Sequence, residues 1–198
     1  MPANDGKTPI ILAAEAGYLN VIELLAPLTD TPNAPDNAGT TPIIYAAQNG
    51  HKNIIEILAP LVDNPNAPDL DGVTPIHNAA MGGHIEILKF LVNLTDSPNM
   101  QDNIDGDTPI HDAAYQGHLD ILEILVPLSK TPNQPNNDGD TPLHVAASFG
   151  HLDAVKFLAP LCENLNHQNN NGTTAIDEAR NKKHENIVHF LEYYCKEK

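Results

Sequence analysis

Between Asp36 and Pro68 the apolar residues fall into two short clusters separated by a glycine. Ile43, Ile44, Tyr45, Ala46 and Ala47 precede Gly50, and Ile54, Ile55, Ile57, Leu58 and Leu61 follow it at the spacings of one helix face. Thr41-Pro42 opens the first cluster. A threonine hydroxyl caps a helix whose first residue is proline, where a missing N–H costs nothing. Gly50 suits the left-handed conformation just past a helix end. The pattern therefore predicts a helix A from Thr41 to Asn49 and a helix B from about Asn53, with the apolar face of helix B as core. Pro60 removes a helical hydrogen bond, so helix B is expected to end or bend there. Val62 to Gly72 is rich in turn residues and reads as an extended loop or short hairpin, a finger whose tip lies near Asp71-Gly72.

The same pattern recurs along the chain. Thr-Pro-aliphatic stands at Thr8, Thr41, Thr74, Thr108 and Thr141, with Thr174-Ala175-Ile176 as an altered copy, at spacings of 33, 33, 34, 33 and 33 residues. Ala-Ala pairs follow at Ala13-Ala14, Ala46-Ala47, Ala79-Ala80, Ala113-Ala114 and Ala146-Ala147. They let each helix A approach its neighbours closely. Pro27, Pro127 and Pro160 match Pro60, whereas Asn93 replaces it, and in that copy helix B is expected to run on smoothly. A period of this length marks a unit that cannot bury its apolar face alone and must stack on its neighbours. The expectation is one all-α domain over 1–198, a solenoid of six repeats at about 3–35, 36–68, 69–102, 103–135, 136–168 and 169–198, whose concave surface binds other proteins.

Thr141-Pro142-Leu143-His144-Val145-Ala146-Ala147 with Gly150-His151, and nearly as well Thr74 to His84 and Thr108 to His118, closely resembles the ankyrin repeat. The resemblance covers about residues 3–195. It departs from the family after helix B, where forms such as Thr29-Asp30-Thr31-Pro32-Asn33 and Val62-Asp63-Asn64-Pro65-Asn66 replace the usual Gly-Ala-Asp-Val-Asn. It implies a helix-turn-helix solenoid that works without catalysis. It also implies that an Asn placed as Asn33 is after Leu25 can be hydroxylated. Here proline precedes most of these residues, at Pro32, Pro65, Pro98 and Pro132, and hydrogen bonding that holds the loop is the expected role of the asparagines.

The two ends differ. Arg180 replaces the second Ala in the last copy, which suits a polar cap, and Arg180, Lys182, Lys183, Lys196 and Lys198 cluster there as a solvated face or a basic docking site. The first copy, with Ile10, Ile11, Leu12, Val21, Ile22, Leu24 and Leu25, looks internal. It favours an alternative reading in which the chain is a segment of a larger multidomain enzyme or channel. One extra residue between Asn99 and Thr108 should make that finger bulge.

Charge and cysteines narrow the partners. Lys plus Arg is 10 against 26 Asp plus Glu, so the net charge is 10 − 26 = −16. Such acidity disfavours nucleic acid and anionic membrane and fits a basic protein or peptide. No apolar run is long enough for a membrane span and no leader is apparent in Met1 to Gly6. Cys162 and Cys195 are 33 residues apart, in equivalent places, and stacked helices lie too far apart for a disulfide. Free thiols suit a cytoplasmic or nuclear chain, with chance sequons at Asn93 and Asn171 as the counter-signal.

Eight of the ten histidines recur at two places of the pattern, His51, His84, His118, His151 and His184 at the place beside the inter-helix glycine and His77, His111 and His144 three residues after the threonine, too far apart to share a metal, and are assigned to structural hydrogen bonds. No nucleophile, base and orienting group converge, so neither catalytic residue, cofactor nor metal is expected. The candidate partner-binding residues are those of the finger tips and exposed helix A: Tyr45, Leu70, Asp71, Met81, Asp105, Asp107, Asp112, Tyr115, Asp138, Asp140 and Phe149. Aromatics on a polar surface resemble interface hot spots. Two placements stay open for Tyr115 and Phe149, on this face or tucked between repeats. The expected state is a monomer that binds a basic, partly apolar partner across repeats three to five.

Overall fold

The computed structural model describes residues 5–197; Met1–Asn4, where the first repeat begins and which bear on the leader, and Lys198 lie outside them. The chain forms two compact units, Met1–Pro98 with Asp102–Ile104 and Asn99–Gln101 with Asp105–Lys198. The division falls inside the finger that carries the extra residue.

The first unit holds α1 (Pro9–Ala16), α2 (Leu19–Leu25), α3 (Pro42–Gln48), α4 (Lys52–Leu58), α5 (Pro75–Met81) and α6 (Ile85–Leu91). The second holds α7 (Pro109–Gln116), α8 (Leu119–Leu125), α9 (Pro142–Ser148), α10 (Leu152–Leu158), α11 (Ala175–Asn181) and α12 (Glu185–Glu197). These are the helix-turn-helix pairs read from the sequence, and the described residues contain no strand. Within the first unit α1 packs on α3 and α3 on α5; within the second α7 packs on α9 and α9 on α11. The Ala-Ala pairs at these contacts are fully buried from Ala46 to Ala147. Only a methyl group fits where backbones approach so closely, and a larger side chain would force the helices apart.

Each helix A begins as expected. Thr8 and Thr41 accept hydrogen bonds from the amides of Ile11 and Ile44 at 3.2 and 3.3 Å. In three copies a histidine completes a reciprocal cap: Nδ1 of His77, His111 and His144 accepts the backbone N–H of Thr74, Thr108 and Thr141 at 3.1, 3.1 and 3.3 Å. An Nδ1 that accepts leaves the ring proton on Nε2. That nitrogen donates to the carbonyl of Asp140 from His111 at 3.0 Å, and to that of His167 from His144 at 3.1 Å. These histidines are therefore structural, and burial holds the His144 pKa below its ordinary value.

The second histidine of the pattern joins one repeat to the next. Nε2 of His84 donates to the carbonyl of Gln48 at 3.3 Å in the first unit, and Nε2 of His184 to that of Ser148 at 3.0 Å in the second. Each satisfies a carbonyl that a helix end leaves without an internal partner. The imidazole lies so close that a Cβ on Gly50 would come within 2.9 Å of His84, and the glycine also holds φ at +77°. Only glycine meets both demands.

Helix B ends earlier than its proline. α2, α4, α8 and α10 give way to single 3-10 turns at Ala26–Leu28, Ala59–Leu61, Val126–Leu128 and Ala159–Leu161, with proline in the middle. The expectation that the Asn93 copy runs on is wrong. α6 closes with the same turn, Val92–Leu94, and Nδ2 of Asn93 donates to the carbonyl of Lys89 at 2.6 Å. Only α12, with Tyr193 at the matching position, continues for 13 residues. The turn therefore goes with a following finger, and proline stabilises it where present. Leu61 also leaves the apolar face assigned to it and is 49% exposed. The tighter turn advances each side chain by about 120° in place of 100°, which rotates this residue off the core stripe.

The fingers are turns and not ladders. Asp36 and Thr40 close the first tip through one backbone bond at 3.1 Å, and Oδ1 of Asp36 accepts the amides of Ala38 and Thr40 at 2.9 Å each. Asp69, Asn136 and Asn169 repeat this arrangement. Pro35, Pro68 and Pro135 stand just before the finger tip and have no N–H with which to extend pairing. In the finger with the extra residue the Gln101 side chain donates to the carbonyl of Gly106 at 2.7 Å and that of Pro135 at 3.1 Å. Three of the loop asparagines tie their loop to the following helix: Oδ1 of Asn33, Asn66 and Asn99 accepts the amides of Ile43, Ile76 and Ile110 at 3.1, 3.3 and 3.2 Å.

Candidate interaction surfaces

The finger backbone and the outer side of each helix A place the residues singled out from sequence, and the two units place them differently. In the first unit Tyr45 is half-buried in a polar cluster. Its hydroxyl donates to Oδ2 of Asp36 at 2.9 Å, and Nζ of Lys7 lies 4.3 Å from its ring centre while pairing with Glu15 at 2.8 Å. Burial, then the bond to Asp36, raises the Tyr45 pKa, and the bond to Glu15 raises that of Lys7. A cation over an aromatic face satisfies the ring internally, so Tyr45 already has its partner within the chain. Leu70 projects from the second finger, 71% exposed, next to the exposed Asp71, whose carbonyl accepts the amide of Asn103 at 2.7 Å. Met81 is exposed at the end of α5.

In the second unit Tyr115 and Phe149 come together. Their ring centres lie 4.2 Å apart at an interplanar angle of 53°, and the two side chains are 41% and 49% exposed. The rings meet at a tilt, and both stay partly in water. Asp105 and Asp138 are exposed on fingers in the same consecutive repeats, and their carbonyls accept the amides of Asn137 and Asn170 at 2.8 and 2.9 Å. Their carboxylates project while their backbones lock finger to finger.

Three other acids differ from the expectation of an exposed acidic face. Asp107 accepts Nδ2 of Asn136 at 2.7 Å, and Asp140 accepts Nδ2 of Asn169 at 2.7 Å. These carboxylates hold adjacent fingers in register. Asp112, assigned from sequence to the exposed side of helix A, is buried at 9% exposure and engaged in interactions of its own. Its position in the first turn of α7 explains why a carboxylate is tolerated there, because the free amides of a helix start favour a negative charge.

The sequence reading missed a second kind of surface. Leu28, Leu61, Leu94, Leu128 and Leu161 each end a 3-10 turn and are each exposed. Their recurrence was visible in the Ala-Pro-Leu and Val-Pro-Leu triplets, but their exposure depends on the change of helical pitch. Cys162 is buried and Cys195 partly buried, and neither is in a disulfide. No group of three His, Cys, Asp or Glu side chains among the described residues is arranged to hold a metal ion. No helix among them is long and apolar enough to cross a membrane. The family model described as ankyrin repeats (3 copies) matches the chain over residues 1–69, 59–136 and 127–197. No curated protein matches it.

Proposed function

Because the chain belongs to the ankyrin-repeat family, whose repeats are generally protein–protein interaction modules, we propose that it is a non-catalytic binding module that takes a basic, partly apolar protein or peptide. The observation that carries this reading is the exposed Tyr115–Phe149 pair on repeats that also expose Asp105 and Asp138. An apolar anchor on repeats that expose carboxylates suits a cationic partner: the charges steer encounter, and the aromatic pair sets the rate of release. Asp107 and Asp140 hold the fingers of these repeats in register and Asp112 is buried, so the exposed Asp105 and Asp138 are the carboxylates we assign to partner contact. A net charge of −16 keeps nucleic acid and anionic lipid away from the same surface. Two thiols outside any disulfide suit a reducing compartment such as the cytoplasm or nucleus.

Capture of partners from a native lysate at low and raised salt, followed by surface plasmon resonance, tests the assignment. Tyr115→Ala should weaken binding by about 2 kcal/mol, the scale of a hot spot, chiefly through faster dissociation. Reversing Asp105 and Asp138 to Lys should slow association and flatten its salt dependence. A bound partner whose kinetics respond to none of these changes, in variants that fold normally, means that the binding surface lies elsewhere.

A further inference from the structure

The Pro-Asn loops border open space between consecutive repeats. In the first unit a groove of about 690 Å³ runs between the loop beginning at Asp30 and that beginning at Leu61. Pro32 and Pro68 form part of its walls, Leu61 projects into it from the 3-10 turn, and Leu70 borders it from the finger. The prolines lack the N–H groups with which the loops could zip together. Asp30, Asp63 and Asp69 also line it, and no Lys, Arg or His does.

We infer that this groove is a docking site for an extended peptide that carries an aliphatic side chain flanked by lysine or arginine. The apolar walls offer Leu61 and Leu70, side chains that water now covers and that a buried aliphatic residue would relieve. The acidic lining sets the charge of the flanks. Asp69 sharpens that preference: partial burial, with the nearby Asp71 and Asp36 carboxylates, raises its pKa, so its anion gains from an arriving cation.

The second unit supplies a comparison within the same chain. One hundred residues on, the equivalent groove of about 660 Å³ keeps Thr131, Pro132, Leu161 and Glu163 in place of Thr31, Pro32, Leu61 and Asp63. The residues that answer to Asp30, Asp69 and Leu70 are Lys130, Asn169 and Asn170. The apolar frame is shared, but the second groove keeps one acid, Glu163, where the first has Asp30, Asp63 and Asp69, and its lining adds His144 and His167. Selectivity for a cationic peptide therefore belongs to the first groove. This site is separate from the Tyr115–Phe149 surface and does not depend on it.

The test uses the full, ¹⁵N-labelled chain titrated with the acetylated, amidated peptide Lys-Leu-Pro-Leu-Lys and with Glu-Leu-Pro-Leu-Glu, followed by amide chemical shifts. The lysine peptide should shift Thr31, Asn33, Asp63 and Leu70 saturably, and the glutamate peptide should not. Asp30→Lys together with Asp63→Lys should weaken binding at least tenfold, and Leu61→Ser should weaken it comparably. Both changes are at exposed or partly exposed positions, and circular dichroism confirms that each variant folds. Tyr115→Ala should leave the titration unchanged, which separates this site from the surface proposed above. Absence of saturable shifts at these residues overturns the inference. So does equal binding of both peptides, or equal binding at the groove lined by Leu161 and Glu163.

Discussion

The first and last of the second helices, α2 and α12, carry the same apolar pattern into different surroundings. Val21 of α2 is 36% exposed, whereas Ile187 at the matching place in α12 is fully buried, as are Ile54, Ile87 and Ile121 between them. Within the second unit α12 rests on α10, and within the first α4 rests on α2. Among the described residues nothing occupies the corresponding place before α2. Where the preceding repeat lies in the same unit, as for Ile54, Ile87 and Ile187, burial at this position goes with that repeat and not with the repeat's own sequence. The far side of the last repeat is finished differently: Arg180 binds Asp177 at 3.1 Å and Glu192 at 3.0 Å, laying a charged strap where the other copies have alanine.

The sharpest way to break this comparison is to place one substitution at both ends. Ile187→Asp should cost several kcal/mol, on the order of 4, because it leaves a buried carboxylate without a partner. Val21→Asp should cost at most about 1 kcal/mol, since its carboxylate stays in water. Urea unfolding reads both. An equal loss would show that the open face of α2 is covered in solution.

Acid should act next, through the interior of the second unit. Burial lowers the His144 pKa, so the folded protein binds this proton less readily than the unfolded chain. Stability from this group is fully present above about 6.5, the ordinary histidine value, and falls as pH drops from there toward the lowered folded value. Protonation also removes the Nδ1 lone pair that accepts the Thr141 amide. His144→Gln should therefore flatten the pH dependence of the melting temperature below neutrality; an unchanged slope would assign that dependence to other groups.

Smaller effects sharpen the comparison at the helix ends. Arg180→Ala should cost at most about 1 kcal/mol, because its pairs are half exposed and water screens them. A loss much above that in thermal unfolding would make the strap part of the core. Asn93→Pro should change stability by less than about 1 kcal/mol, since α6 already ends in the turn that proline occupies elsewhere and proline restricts the unfolded chain. A larger loss would show that the bond from Asn93 to Lys89 shapes that turn.

The fold was legible because it is written repeatedly in residue types with one physical meaning. Threonine before proline, paired alanines and glycine before histidine each name a cap, a close contact and a helix end, and the structure places all three accordingly. The surfaces were less legible for reasons visible in particular residues. Asp112 is a carboxylate at a nominally exposed position, and burial depends on neighbours from other repeats that no local pattern records. Tyr45 looks like an anchor until Lys7, 38 positions earlier, is found above its ring. Leu61 fits a helical stripe and leaves it because the pitch changes at Ala59, before it is reached. Tyr115 and Phe149 were chosen as exposed aromatics, but their mutual stacking joins repeats at a spacing of 34 residues that only packing brings to 4.2 Å.

The joint between glycine and histidine has a consequence for how such chains change over evolutionary time. Its two halves lie in consecutive copies, Gly17 against His51, Gly50 against His84, Gly117 against His151 and Gly150 against His184. Excising or duplicating one whole copy from the interior would bring an unchanged glycine against an unchanged histidine, so the seam heals itself. An insertion of any other length would part them. Recombination can thus lengthen or shorten the array in whole steps while point mutation is free to diversify the fingers and the grooves between them.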